Sequence, residues 1–132
     1  MSDAVTAVQA ALVAALKGHA PLTPLITGIY DGPPPRAAFP YITIGESPSI
    51  DWSTKTAIGR EIRLALSVWD DGSSAARLHR IMGIVENAVA SIARDVPGWR
   101  LVSLIFLRSM AVRSAAGPWV GLVDHRVRVL AV

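Results

Sequence analysis

The nine residues Glu61-Ile62-Arg63-Leu64-Ala65-Leu66-Ser67-Val68-Trp69 decide the fold class. Ile62, Leu64, Leu66 and Val68 fall on one side of an extended chain, and Glu61, Arg63, Ala65 and Ser67 on the other. Successive side chains of a strand point to opposite faces, so this period of two predicts a strand with one buried face. A sheet covered on one face only is the habit of antiparallel architectures packed beneath helices.

Upstream, Tyr41-Ile42-Thr43-Ile44-Gly45 is strand-like and is expected to pair antiparallel with this strand. The connection from Glu46 to Arg60 is polar, contains Pro48 and Gly59, and is long for a hairpin. It is expected to be an arm that is either mobile or reserved for a partner. Downstream, Asp70-Asp71-Gly72 marks a turn, after which Ser73 or Ser74 is expected to cap a helix. That helix carries the stripe Leu78, Ile81, Met82, Val85, Val89 and Ile92 and is expected to stop at Asp95-Val96-Pro97-Gly98. Arg80, Asn87, Ser91 and Arg94 on its other face predict an ordinary solvated surface.

Leu101 to Val112 is apolar on both faces around Leu104-Ile105-Phe106-Leu107, which predicts a central strand or one with a covered outer face. A turn at Ala115-Ala116-Gly117-Pro118 leads to a last strand, where His125, Val127, Val129 and Ala131 alternate with Asp124, Arg126 and Arg128.

At the other end, Asp3 is a good N-cap for a helix with the stripe Val5, Val8, Leu12 and Leu16, closed by Lys17 and Gly18. Its reverse face holds Ala7, Ala10, Ala11 and Ala14, with Thr6 and Gln9 the only polar side chains between Asp3 and Lys17. Such a face either meets a neighbouring subunit or reflects the helix propensity of alanine alone. Six of the nine prolines lie in residues 20–40, which excludes regular helix there. Asp31 to Arg36, Asp-Gly-Pro-Pro-Pro-Arg, is expected to be a stiff surface loop rather than a ligand for an SH3-type domain. The expected architecture is one domain over residues 1–132, an α+β fold with a mostly antiparallel four-stranded sheet and two helices on one face, in the order α-β-β-α-β-β.

With 132 residues the chain can bury roughly two thirds of its unfolded surface and needs no disulfide or metal staple. It has no cysteine, which excludes disulfides and Cys-based zinc sites. Mean hydropathy is +0.41, yet the uncharged runs Ala4–Leu16 and Gly18–Tyr30 are shorter than the roughly 20 apolar residues of a membrane span. The start Met-Ser-Asp-Ala-Val lacks the basic region of a signal peptide, so a soluble cytoplasmic product with no membrane partner is expected. Charged residues make up only 17%, against about 25% in an ordinary domain. Either an alanine- and arginine-rich genome or burial against other copies of the chain accounts for that deficit.

No constellation points to catalysis, a metal or another cofactor. His19, His79 and His125 lie on different elements, and Asp124 and His125 are strand neighbours that face opposite ways. No nucleophile elbow, phosphate-binding glycine loop or dinucleotide fingerprint is present. The formal charge is only +3 and the arginines are dispersed, which argues against sequence-specific DNA reading. Trp52 sits within the polar arm, where it either anchors a partner or folds back onto the sheet edge.

In sequence order, the N-terminal helix, Ile29-Tyr30-Asp31, Pro34-Pro35, Phe39-Pro40-Tyr41-Ile42-Thr43-Ile44-Gly45-Glu46, Asp51-Trp52-Ser53-Thr54-Lys55, Leu66-Ser67-Val68-Trp69 and the His125 strand resemble one family. It is the tail-completion, or tail-terminator, proteins of long-tailed phages and gene-transfer agents. The likeness spans nearly the whole chain, and Pro40–Glu46 with the strand ending in Val68-Trp69 are its most specific parts.

The resemblance implies a non-enzymatic virion protein of the tail and neck, assembled in the host cytoplasm. Such proteins form a ring, commonly a hexamer, that caps the head-proximal end of the tail tube. The ring ends tube polymerisation, receives the head connector and lets DNA pass through its channel. The expected partners are further copies of the chain, the tail-tube protein, the head connector or stopper, and DNA without sequence-specific binding. Ala7, Ala11, Ala14, Ile105 and Leu107 are the expected subunit contacts; Asp51, Trp52 and Lys55 are expected to meet the tube or connector. The alternatives are another neck component, such as a head-side adaptor or stopper, or a small nucleic-acid-binding module.

Overall fold

A computed structural model describes residues 3–32, 34, 36–115 and 117–132. Helix α1 spans Ala4–Lys17 and α2 spans Ala76–Ala90. The strands are β1 (Ile29–Asp31), β2 (Tyr41–Ile44), β3 (Ser49–Asp51), β4 (Gly59–Asp70), β5 (Asp95–Val96), β6 (Trp99–Arg113) and β7 (Trp119–Ala131). They form one seven-stranded sheet in the order β1-β2-β4-β7-β6-β5, with β3 joined to β4 beside β2. The α+β class and the covered face are as expected, but the expected four-stranded sheet is corrected. Its four strands are β2, β4, β6 and β7, and β1, β3 and β5 extend it. The additions are two or three residues long, too short for any period to register. The sheet is mostly antiparallel; β1 and β2 run parallel.

Alternation along β4 survives intact: Ile62, Leu64, Leu66 and Val68 are buried, while Glu61, Ala65, Ser67 and Trp69 are half-buried and Arg63 exposed. Directly opposed residues share a face, so the pairs Ile62–Val127, Leu64–His125 and Leu66–Val123 place one apolar layer beneath the helices. Val8, Leu12 and Leu16 of α1 and Leu78, Ile81, Val85 and Val89 of α2 close over it. Gly121 of β7 is where α2 comes closest. A Cβ there would lie 2.5 Å from the Met82 sulfur and 3.1 Å from Leu78 Cδ1.

Helix α1 begins at Asp3, whose carboxylate accepts the Val5 N–H at 3.2 Å and the Thr6 hydroxyl at 2.9 Å. It ends where the Gly18 N–H donates to the Ala14 carbonyl. Neither serine caps α2: the cap position is Ala75, and Ser74 Oγ accepts only a long 3.4 Å bond from Ala76. Arg77, in the first turn, instead reaches back to Asp70 at the end of β4. α2 also stops earlier than its apolar stripe, because the Ser91 hydroxyl returns to the Ala88 carbonyl at 2.7 Å and Arg94 donates to the Ile92 carbonyl at 3.0 Å. The polyproline reading of Asp31–Arg36 involves Pro33 and Pro35, and the turn at 115–118 involves Ala116; these three lie outside the described residues.

Candidate assembly surface

Of the two positions expected for strand 101–112, central or with a covered outer face, the central one is corrected. Within the sheet, β6 has β7 on one side and on the other only the two-residue β5, which pairs with Trp99 and Arg100. From Val102 to Arg113 its outer edge has no strand partner among the described residues. Two bulges, at Val102 and Leu107, interrupt its register with β7. A bulge bends a strand and re-aims its side chains. The apolar residues that suggested burial are accordingly left open: Val102, Ile105, Phe106, Met110 and Val112 are each 39–45% exposed. Leu107, at the second bulge, is half-buried. Sequence reasoning recognised this two-sided strand but left its position open between the interior and a covered outer face, because apolarity marks burial and does not say against what.

Of the described residues only three other large hydrophobic ones are exposed, Ile50 and Ile58 of the β3 hairpin and Val132. Neither helix contributes one. Native proteins protect free edges with charged residues, proline or bulges; residues 101–113 have two bulges with Arg108 and Arg113, but neither lysine nor proline.

The helix-free face of the sheet carries two further groups. At the β1–β2–β4 end, Tyr41 stands between Tyr30, Phe39 and Trp69, with ring centroids 5.9, 5.3 and 6.2 Å away. The Trp69 indole N–H donates to Thr43 Oγ1 at 3.0 Å. Toward β3, Glu61 takes Arg128 at 3.0 Å and lies 3.8 Å from Arg126, while exposed Arg63 has no ion pair among the described residues. A cleft of about 350 Å³ between Pro48 and β4 is lined by Glu46, Arg63, Ala65 and Asp124. The residues around it include no hydroxyl, thiol or imidazole.

The expected arm is a folded hairpin. Ser49–Asp51 pairs with Arg60–Ile62, the Trp52 N–H donates to the Gly59 carbonyl, and Thr54 closes the turn on Ala57. Trp52 lies back on the sheet with the Arg128 guanidinium 5.1 Å from its ring centroid. Asp51 accepts the Ser53 hydroxyl at 2.6 Å. Lys55 stands exposed at the hairpin tip. Of the three residues expected to meet the tube or connector, Lys55 is the one that projects freely.

The alanine face of α1 is divided. Ala7 is 8% exposed and belongs to the core, and Ala11 is half-buried against it. α1 packs on α2 as well as on the β5 segment, so its buried sector is wider than one stripe. Ala10 and Ala14 remain exposed. Ala7 therefore has no surface to offer a neighbour, and Ala14 does.

Asp124 and His125 separate as strand neighbours must. Asp124 receives Arg108 at 2.9 Å on the open face. His125 is 3% exposed beneath the helices, edge-on to Phe106 at 5.5 Å, with Nδ1 lacking a hydrogen-bond partner. Burial holds its pKa below the ordinary imidazole value, and the Asp124 charge opposes this. Among the described residues no group of three or more His, Asp or Glu side chains could hold a metal ion, and no helix is long and apolar enough to cross a membrane.

A one-sided sheet with a free, two-faced apolar edge defines a protein that works through contact with other chains. The family model for tail completion protein gp17 matches residues 10–130, and the chain belongs to that family. Tail completion protein gp17 of Bacillus phage SPP1 is 29% identical over 83 residues, a match that covers 63% of this chain and 61% of that protein, less than two thirds of its length. In the virion of a native gene transfer agent particle, one chain matches with a TM-score of 0.86 and 30% identity, covering 99% of this chain and 100% of that one. The structure of bacteriophage SPP1 gp17 matches with a TM-score of 0.64 over 94% of this chain and 89% of that one; at 22% identity it shows the common fold.

The segments that carried the family resemblance are spatial neighbours. Pro40–Glu46 contains β2 and Leu66–Trp69 lies in β4, and Tyr41 to Ile44 pair with Trp69 to Leu66 in register. Ile42 and Ile44 enter the core, while Tyr41 and Trp69 stack on the open face.

Proposed function

We propose that the protein is a structural component of a phage or phage-like tail, where it forms a ring on the head-proximal end of the tail tube. The ring ends tube polymerisation, receives the head connector and leaves a channel through which DNA passes. The observation that carries this reading is the uncovered β6 edge in a chain of the tail-completion family. A ring subunit must present two lateral surfaces to its neighbours, and β6 supplies an apolar one of about 40 Å at 3.3 Å per residue. Ile105 and Leu107 belong to that surface, and Ala14 of α1 lies outside it. Lys55 at the hairpin tip is the proposed contact with the tube or connector.

Electron microscopy of particles assembled without the protein tests the reading. Overlong tails, or tails of normal make-up that fail to join filled heads, are expected. Heads that have lost their DNA, with tails of normal length, would assign the chain to a head-side stopper instead.

A further inference from the structure

We propose that Phe106 and His125 form a proton-sensitive latch: while His125 is neutral the bulged middle of β6 lies against the sheet, and proton uptake by the imidazole lifts that segment away. The latch lies within one subunit and does not depend on what the β6 edge meets. His125 is 3% exposed, and its Nδ1 has no hydrogen-bond partner among the described residues. Its two cross-strand neighbours differ in kind. Leu64 of β4 is buried, whereas Phe106 of β6, with ring centroids 5.5 Å apart, is 45% exposed. The β6–β7 register breaks immediately beyond this pair, between Phe106 and Arg108, and the other edge of β6 has no strand partner there among the described residues. The segment around Phe106 is thus held by β7 alone, and a segment with few buried contacts opens at lower free energy than the core.

An imidazolium carries two N–H donors, and a buried charge without partners is costly. The charged neighbours are engaged elsewhere or turned away. Asp124 and Arg126 flank His125 on β7 but point to the open face, where Asp124 holds Arg108 of β6 and Arg126 lies 3.8 Å from Glu61 of β4. Arg63, next to Leu64 on β4, is on that face as well. The helices meet the sheet with apolar side chains, and Glu86, the acid of α2, is only half-buried. Burial outweighs the Asp124 charge, so the imidazole is neutral at pH 7. Proton uptake requires water at the ring, and Phe106 is the neighbour that can admit it without parting the helices from the sheet. Acid therefore acts on β6, the strand of the proposed assembly surface, before it acts on the core.

NMR titration of the His125 ring in the wild type, Phe106→Ala and Phe106→Leu tests the latch, with the exposed His79 as internal standard. Phe106→Ala is expected to raise the His125 midpoint by about half a pH unit or more, toward the ordinary value of about 6.5, with Phe106→Leu between it and the wild type. Amide exchange, corrected for its intrinsic rate, is measured at pH 7.5 and pH 5.5. The amides from Ser103 to Met110 are expected to exchange faster than the slowest ones of β4 and β7 and to lose several-fold protection at pH 5.5, while the β3 hairpin does not change. His125→Leu is expected to abolish that loss. A His125 midpoint that is unchanged or lower in Phe106→Ala overturns the latch. Exchange in β6 that is no more acid-sensitive than in the hairpin, or that occurs only together with the core strands, overturns it as well.

Discussion

The Arg77 guanidinium grips both carboxylate oxygens of Asp70, the last residue of β4, whose side chain is fully buried. The bond from Nε is 3.0 Å, and the second nitrogen also reaches the exposed Asp71 at 3.4 Å. This fork ties the first turn of α2 to the end of β4. The hydrogen bond to Asp70 raises the Arg77 pKa further, so the guanidinium is charged at every accessible pH.

Removing the arginine strands a carboxylate in the core. Charge-assisted bonds contribute about 1.5–3 kcal/mol each, and solvent screening of the half-exposed Arg77 side chain reduces the total. Arg77→Ala is expected to lower stability by about 2 kcal/mol, with Asp70→Asn close to it. A double variant that costs no more than either single one would show that the loss belongs to the pair. Urea midpoints of the four proteins provide the measurement, and independent, additive losses would contradict the pairing.

Gly121 lies under α2 with no room for a side chain. Gly121→Val would drive Cβ into Met82 and Leu78, and overpacking of this kind costs about 1–3 kcal/mol. A drop in thermal midpoint of several degrees is expected; an unchanged midpoint would mean that α2 is free to lift. Gly83, on α2 with open space around it, is the control, and Gly83→Ala is expected to raise stability by roughly 0.5–1 kcal/mol through helix propensity.

These contacts show where sequence periodicity carries information and where it fails. β4 was legible because one face meets its own helices and the other meets water, so its period is clean. Leu101–Val112 was equally visible as a strand, but its position stayed open between the interior and a covered outer face, because apolar composition does not report which neighbour a strand has. β3 was missed because Ser49-Ile50-Asp51 is too short to show alternation and its pairing depends on β4. The Asp70–Arg77 fork left no periodic trace, since an acid before a helix also suits a turn. Of the expected contact residues, Ile105 and Lys55 emerged exposed. Ala7 did not, because the width of the buried sector of α1 is set by α2, which no pattern within α1 reports.

The tryptophan of the hairpin separates folding from docking. Trp52 lies half-buried with Arg128 at 5.1 Å, so Trp52→Ala is expected to cost about 1–2 kcal/mol, of which the cation–π contact supplies roughly 0.5–1. Lys55 is exposed, and Lys55→Glu is expected to change stability by less than about 0.5 kcal/mol. If the tip meets the tube or connector, Lys55→Glu will lengthen or unjoin tails at normal stability. Normal tails from that variant would remove the tip from the docking surface, whereas Trp52→Ala alone could not decide the matter.

His125 is expected to make the fold acid-sensitive near neutrality. Burial lowers its folded pKa beneath the unfolded value of about 6.5, while the neighbouring Asp124 charge only partly offsets this. Below pH 6.5 the unfolded chain takes up a proton that the folded chain refuses, so stability falls as pH drops through the unfolded value. The loss approaches about 1.4 kcal/mol per pH unit and levels off once the folded pKa is passed. His125→Leu replaces a buried ring, whose Nδ1 has no hydrogen-bond partner among the described residues, with an apolar side chain beside Leu64 and Phe106. That variant is expected to show a smaller difference between its urea midpoints at pH 7.5 and pH 5.5 than the wild type, since carboxylates titrate mainly below this window. Equal differences in the two proteins would place the acid sensitivity elsewhere. A variant much less stable at both pH values would show that the imidazole makes a contact the core depends on.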